Sequence, residues 1–209
     1  MIDLSGRTVL LTGALGSLGR AQAGAYAAAG AQLLLLDRPG SEKADAFARE
    51  LSSAHRIRAE FIGHDLSDLV ATERVGRELS ERTGGVDVLI NCAAVIVNRP
   101  FEDFEVAGYE EQLRVNAAAG LALARALAPG MKRKKYGKII NFCSVTLNGR
   151  WDGYVPYVMS KGAVLGLTKG LARELGPFGI CVNAISPGAV ISEAEERVFE
   201  MPLSAASLR

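Results

Sequence analysis

Six short apolar runs recur along the chain, and helix-patterned segments separate them with no hairpin turn between any two. The runs are residues 7–12 (RTVLLT), 32–36 (QLLLL), 58–63 (RAEFIG), 86–90 (VDVLI), 138–143 (KIINFC) and 180–185 (ICVNAI). A run that is apolar throughout is a strand covered on both faces. Strands that follow one another without a tight turn run parallel, each return made by a crossover helix. Helices are expected over 17–29, stopped by Gly30, and over 41–54, capped by Ser41. Others are expected over 68–82, over 104–134 with its last turns disturbed by Pro129 and Gly130, and over 155–175. The fold class is therefore α/β: a doubly wound parallel sheet of Rossmann type, in three layers.

In such a sheet ligands bind beyond the carboxyl ends of the strands. The polar and glycine residues gather there: Gly13, Gly16 and Gly19 after the first strand, Asp37 after the second, Asp65 after the third. Asn91, Ser144 and Pro187-Gly188 follow the fourth, fifth and sixth. The loop TGALGSLG, with Ser17 and Leu18 opening a helix, lets backbone approach a pyrophosphate, which sits on the free N–H groups of the helix start. Alone such a loop is often an ordinary strand-to-helix turn. Asp37, at the end of the next strand, can accept hydrogen bonds from both adenosine ribose hydroxyls and repels a 2′-phosphate, which favours NAD over NADP. Arg38 beside it is the residue that could serve such a phosphate.

The chemistry concentrates in SVTLNGRWDGYVPYVMSK, residues 144–161. Tyr157 and Lys161 stand four apart on a helix, one above the other. Pro156 suits the first turn, where a missing N–H costs nothing. An ammonium beside a phenol favours the phenolate, so Tyr157 is expected to be an acid/base group of lowered pKa. Ser144 ends a strand where its hydroxyl could steady the same oxygen. A lone Tyr-x-x-x-Lys most often decorates a helix surface; its combination with the glycine loop is what carries weight. Trp151 and Tyr154, with Val95 and Thr146, are expected to wall a substrate pocket, an aromatic wall suiting a ring or a polyol face.

A net charge of +1 gives no reason to expect nucleic-acid or membrane partners. The run Lys132-Arg133-Lys134-Lys135 reads as the solvated end of a helix. Cys92, Cys143 and Cys181, an odd count without C-x-x-C spacing, are expected to be reduced, buried thiols of a cytoplasmic protein. No signal peptide or bilayer-spanning run is expected. His55 and His64 lie in no metal-binding spacing, so no metal is expected.

Together TGALGSLG, LLLLD, HDLSD, LINCAA, the Asn116 helix, INFCS, YVPYVMSK and VNAISPG resemble the short-chain dehydrogenase/reductase family, single-domain branch, over residues 5–192. The resemblance implies an NAD(H)-dependent oxidoreductase interconverting a secondary alcohol and a ketone. It makes Tyr157 the acid/base, Lys161 its pKa-lowering partner and ribose ligand, and Ser144 the holder of the substrate oxygen. Asn116 would hold a water linking Lys161 to solvent. Asp65 and Leu66 would flank the adenine. Asn91, Ala93, Pro187, Gly188, Val190 and Ser192 would complete the cofactor contacts. Assembly as a homodimer or homotetramer through the Asn116 and Tyr157 helices is implied. The chain departs from the family pattern in having Ser17 with Gly16 shifted by one, Ala94 for a glycine, and no counterpart of the usual last helix and strand. The expected layout is an NAD-binding catalytic domain over 1–191 and a truncated or disordered tail over 192–209, with a short helix at 192–199. The missing elements leave the sixth strand as an exposed edge. They also give the alternative of a non-catalytic NAD-binding or scaffold protein.

Overall fold

The computed structural model describes residues 2–188 and residue 190; Ser192 and the expected tail with its short helix lie outside the described residues. Six strands form one sheet: β1 (Thr8–Thr12), β2 (Gln32–Asp37), β3 (Ala59–Gly63), β4 (Val88–Asn91), β5 (Gly137–Phe142) and β6 (Ile180–Ile185). Their order is β3-β2-β1-β4-β5-β6, and every neighbouring pair is parallel. The chain builds outward from β1 to β3, then returns to the other side of β1 for β4 to β6. The sheet is thus doubly wound, with its switch point between β1 and β4.

The connecting helices are α1 (Ser17–Ala28), α2 (Ala44–His55), α3 (Leu69–Arg82), α4 (Val106–Leu113), α5 (Ala119–Lys134) and α6 (Val155–Leu175). Alternate strand residues feed two cores. Leu10, Leu34, Leu36 and Leu89 pack with Leu79 of α3, Leu123, Leu127 and Met131 of α5, and Leu175 of α6. Val9, Leu11, Leu33, Leu35, Val88 and Ile90 pack with Ala23 and Ala27 of α1 and Ala48 and Leu51 of α2. Both sheet faces are covered, which is why the strands are apolar throughout. Fully burying one of these leucines stabilises the fold by roughly 2 kcal/mol, so the strands carry most of the core and the alanine-rich α1 chiefly permits close approach.

Several local expectations are corrected. Ser41 does not cap α2: the helix starts at Ala44, its N-cap Lys43 makes no side-chain bond, and only the Ser41 carbonyl takes part, accepting from the Ala44 N–H. Pro129 does not disturb α5, which runs on to Lys134, because burial of Leu127, Gly130 and Met131 outweighs one lost backbone bond. Lys134 is no solvated end either; its Nζ donates to the Gly85 carbonyl and to the buried Asp87 carboxylate, both at 3.1 Å. Cys143 is buried and Cys92 half-buried, but Cys181 is exposed, on the outward-turned alternate positions of β6. Among the described residues β6 is the outer strand of the sheet.

Candidate active site

The strand ends that carry the site are locked together first. Thr12 closes β1, and its hydroxyl accepts from the Cys92 and Ala93 N–H groups at 3.1 and 3.2 Å while donating to the Ile90 carbonyl at 3.3 Å. Gly13 follows with a φ of +68°, and a Cβ there would lie 2.8 Å from the Ala93 Cα. A Cβ at Gly19 would collide with the Gly13 carbonyl. These two glycines are therefore required by packing, whereas Gly16 is open and serves as the N-cap of α1. No side chain caps α1 and its first turn holds no acid among the described residues. The N–H groups of Ser17 and Leu18 are left to an anion, so the donor set and the side-chain-free cradle fit the pyrophosphate of a dinucleotide.

Asp37 ends β2 beside this loop. One carboxylate oxygen accepts from the Leu15 N–H and the other from the Arg38 N–H, each at 2.8 Å. Asp37 is thus a staple on the glycine loop, a role its position in sequence does not reveal. The Arg38 side chain is exposed next to it. At the end of β3, Leu66 is buried. Asp65 accepts from the Ser67 N–H at 2.9 Å, a bond that holds its pKa below the usual carboxylate value.

Asn91 turns into the sheet. Its Nδ2 donates to Asn141 at 2.8 Å, and Asn141 Nδ2 donates to Thr168 at 2.9 Å. This ladder joins β4, β5 and α6, so the Asn91 amide is spent on the scaffold. Neither Asn141 nor Thr168 stands out in the sequence, since a polar residue inside an apolar run signals nothing until its partner across the sheet is known.

Asn116 lies in a π-helical turn, Arg114–Ala118, inserted between α4 and α5. Its Oδ1 accepts from the Val95 N–H at 2.7 Å, and its Nδ2 donates at 2.9 Å to the Val95 carbonyl and to Ser160. The carboxamide therefore holds the Val95 wall against α6. The buried Ser160 is a member of this cluster that the sequence does not announce. A second latch joins the same wall to the loop before α6: Asn98 Nδ2 donates to the Asp152 carbonyl at 2.9 Å, and the Arg99 N–H to the Gly153 carbonyl at 3.0 Å.

Ser144, Tyr157 and Lys161 meet at the ends of β5 and α6, and all three are buried. The 3₁₀ turn Val145–Asn148 begins at Ser144, whose hydroxyl accepts from the Thr146 N–H at 3.1 Å and the Thr146 hydroxyl at 2.9 Å. The Lys161 ammonium donates to the Phe142 carbonyl at 2.7 Å and stands 5.5 Å from the centre of the Tyr157 ring. Burial lowers its pKa to about 8, with only Cys143 and Cys92 pulling the other way. The expectation of an acidified Tyr157 is corrected. Burial raises the phenol pKa, and a hydrogen bond with Ser144 opposes that only in part. Lys161 does not reverse the shift, because its charge is held at a backbone carbonyl and over the ring face and is itself desolvated.

Tyr154 packs edge-on to Tyr157 with ring centres 6.2 Å apart, while Trp151, in the loop before α6, is 46% exposed. The Pro187 carbonyl accepts from the Val145 N–H at 3.2 Å, which fastens the loop after β6 to the end of β5; Gly188 and Val190 continue that loop, exposed. Among the described residues no helix is long and apolar enough to cross a membrane. Nor do any three His, Cys, Asp or Glu side chains gather there as around a metal ion.

Residues 7–202 match the sequence model of the short chain dehydrogenase family. The chain is 32% identical to the "Probable galactose dehydrogenase GalD" of Rhizobium meliloti, over 94% of this chain and 77% of that one. It is 30% identical to the 3-oxoacyl-[acyl-carrier-protein] reductase FabG of Aquifex aeolicus, over 95% and 83%. The crystal structure of L-sorbose reductase from Gluconobacter frateurii, complexed with NADPH and L-sorbose, superposes with a TM-score of 0.87 at 26% identity, covering 92% of this chain and 73% of that one. With the family match spanning the glycine loop, the Ser-Tyr-Lys cluster and the doubly wound sheet that unites them, the chain belongs to the short-chain dehydrogenase/reductase family and is an oxidoreductase that works with a nicotinamide cofactor.

Proposed function

We propose that the protein interconverts a secondary alcohol and a ketone, with Tyr157 as acid/base and Ser144 as the second group on the reacting oxygen. The observation that carries this reading is the meeting of Ser144, Tyr157 and Lys161 in one buried cluster beside the glycine loop. A bound dinucleotide would supply or accept the hydride; Lys161 is placed to hold its nicotinamide ribose, and Ser17 and Leu18 its pyrophosphate. Asn116 positions the Val95 wall. Because its carboxamide is committed to Val95 and Ser160, any water it holds falls to the backbone of the π turn. The non-catalytic reading has less support, since the acid/base cluster is complete and the relatives are named dehydrogenases and reductases. The substrate class we infer is polyhydroxylated: a sugar, polyol or sugar acid. Two of the relatives are named for galactose and L-sorbose, and the exposed Trp151 in the loop before α6 is an aromatic ring suited to stacking on a sugar face. A panel of polyols and sugars against a β-keto thioester tests this, and turnover of the thioester alone would reassign the substrate.

NAD is the preferred dinucleotide in this reading, because the Asp37 carboxylate stands where a 2′-phosphate would lie. The NADPH held by L-sorbose reductase marks the opposite preference, which here would have to come from Arg38. Calorimetric titration is expected to show NADH binding at least about 10-fold tighter than NADPH, the loss that a like charge or a missing charged hydrogen bond produces. Asp37→Ala is expected to weaken NADH by about 10-fold or more and to close that gap. Because Asp37 also staples Leu15, NADPH should not bind the variant as tightly as NADH binds the wild type. Tighter NADPH binding by the wild type would make Arg38 the reader.

We also propose a homo-oligomer built on α4, α5 and α6. Their outer side holds an open, largely apolar groove of about 530 Å³, lined by Leu113, Ala117, Ala118, Leu121, Ala163 and Leu167. Light scattering is expected to give a dimer or tetramer, reduced toward monomer by Leu121→Asp. A monomeric wild type would overturn this assembly.

A further inference from the structure

We propose that Thr146 is a positioning residue: it occupies both acceptor positions of the Ser144 hydroxyl and so commits that hydroxyl to donating its proton into the site. The inference rests on the reading of Ser144 and Tyr157 given above. A serine hydroxyl has one proton to give and two lone pairs to receive. Ser144 receives the Thr146 N–H at 3.1 Å and the Thr146 hydroxyl at 2.9 Å, and only its proton remains to be used.

The main chain on either side of Ser144 is held in place. The Cys143 N–H before it is bonded to the Ile185 carbonyl at 2.8 Å, and the Val145 N–H after it to the Pro187 carbonyl at 3.2 Å. One of the two bonds received comes from backbone and survives any substitution of Thr146. The other exists only because residue 146 carries a hydroxyl. An uncommitted serine could accept the phenol proton as readily as donate to the phenol oxygen, and the two arrangements have opposite consequences. Donation stabilises a phenolate and polarises a ketone oxygen; acceptance stabilises the neutral phenol. With the Thr146 N–H and hydroxyl both donating to it, the Ser144 oxygen has no lone pair left for the phenol proton; a Ser144 proton turned instead onto the Thr146 oxygen would show as midpoints that fall in Thr146→Val, and that result overturns the proposal. The sequence offers Thr146 only as a wall of the substrate pocket, whereas its hydroxyl is turned onto Ser144.

The other groups that face the Tyr157 phenol are Tyr154 from the loop before α6, Cys143 at the end of β5 and Cys92 at the end of β4, with the Lys161 ammonium over its ring. Thr146 holds Ser144 through both its backbone N–H and its hydroxyl, so a change in Tyr157 titration that Thr146→Val produces and Thr146→Ser does not is carried by the Thr146 hydroxyl on Ser144. The test compares Thr146→Val, which keeps the shape and the backbone N–H, with Thr146→Ser, which keeps the hydroxyl; Thr146→Ala replaces the valine variant if that one fails to fold. Two quantities are read: the pH at half-maximal kcat/KM for alcohol oxidation, and the tyrosinate absorbance lost with Tyr157→Phe in each background. Thr146→Val is expected to move both midpoints up by about half a unit to one unit and to lower kcat more than it raises KM. Thr146→Ser is expected to return both midpoints to the wild-type value. Unmoved midpoints in Thr146→Val, a change confined to KM, or an equal displacement in Thr146→Ser would each overturn the proposal. Should the wild type turn over no alcohol, the functional reading fails, and the absorbance titration still decides whether Thr146 acts on Tyr157 through Ser144.

Discussion

Tyr157→Phe is expected to lower kcat about 10³-fold, within the range that a positioned acid/base group contributes, while leaving NADH affinity within a few-fold of the wild type. The substitution deletes one oxygen and keeps the ring. That ring is what packs edge-on to Tyr154 and lies under the Lys161 ammonium, so the walls of the site should persist. What disappears is the phenol oxygen, the group proposed to hand a proton to, or take one from, an oxygen held by Ser144. In the protein alone burial holds the phenol pKa above its ordinary value. At neutral pH Tyr157 is therefore protonated, ready to serve ketone reduction, and alcohol oxidation is expected to quicken as the pH rises. Single-turnover kinetics beside a calorimetric NADH titration separate the two effects. Turnover within about 10-fold of the wild type would remove Tyr157 from the acid/base role.

Lys161→Met is expected to abolish turnover and at the same time to stabilise the protein. Lys161 is 2% exposed, and burial lowers its pKa from 10.5 to about 8, opposed by the Cys143 and Cys92 thiols. At about 1.4 kcal/mol per unit, burying its charge costs the fold about 3 kcal/mol. Methionine fills the same space without that cost but leaves the Phe142 carbonyl without its 2.7 Å donor, a loss of about 1 kcal/mol. The net gain of about 2 kcal/mol corresponds to a rise in Tm of about 4–8 °C for a chain of this size. The pH dependence has a definite sign. Below about pH 8 the lysine is charged in both folded and unfolded chains, and the fold carries the whole cost. Between 8 and 10.5 the folded protein gives up its proton first, so the unfolded chain binds more protons and stability rises with pH. Cys92 and Cys143, whose pKa values burial raises above 9, and Tyr157 and Tyr26, whose pKa values burial raises above 10, work in the opposite direction beyond those points, so the clear window is pH 8 to 9. Thermal melts across it should rise for the wild type and stay flatter for Lys161→Met. A variant that melts below the wild type at pH 7 would mean that Lys161 supports the fold.

These two results would locate a trade between stability and function at one residue. A lysine carried at a cost in the core is explained by chemistry, not by packing.

The order of elements, the parallel sheet and the edge on which the site lies all follow from residues read along the chain. A continuously apolar run is a strand covered on both sides wherever it occurs, and parallel strands force crossovers of one hand. Gly13, Gly19, Asp37, Ser144, Tyr157 and Lys161 could be placed on that edge because each follows a strand end or keeps a fixed spacing on a helix. Pairings across the fold could not be read in this way. Ser160 and Asn98 gain meaning from Asn116 and Asp152, far away in sequence, and Asn141 from Asn91 and Thr168. Ser41 does not cap α2 because capping depends on where the bend at Pro39 and the turn at Glu42 and Lys43 deliver the chain. Pro129 is carried inside α5 because tertiary burial outweighs one missing bond.

By itself, then, the sequence determined topology and the set of candidate site residues, since both depend on local pattern and spacing. Tertiary structure alone decided how those groups are charged and aimed. The Tyr157 pKa depends on burial against one charge and one hydroxyl, and burial wins. Asp37 becomes a staple, and Ser144 a donor, only because Leu15 and Thr146 are brought to hydrogen-bonding distance. Desolvation and hydrogen-bond saturation belong to a site as a whole, and no single residue type carries them.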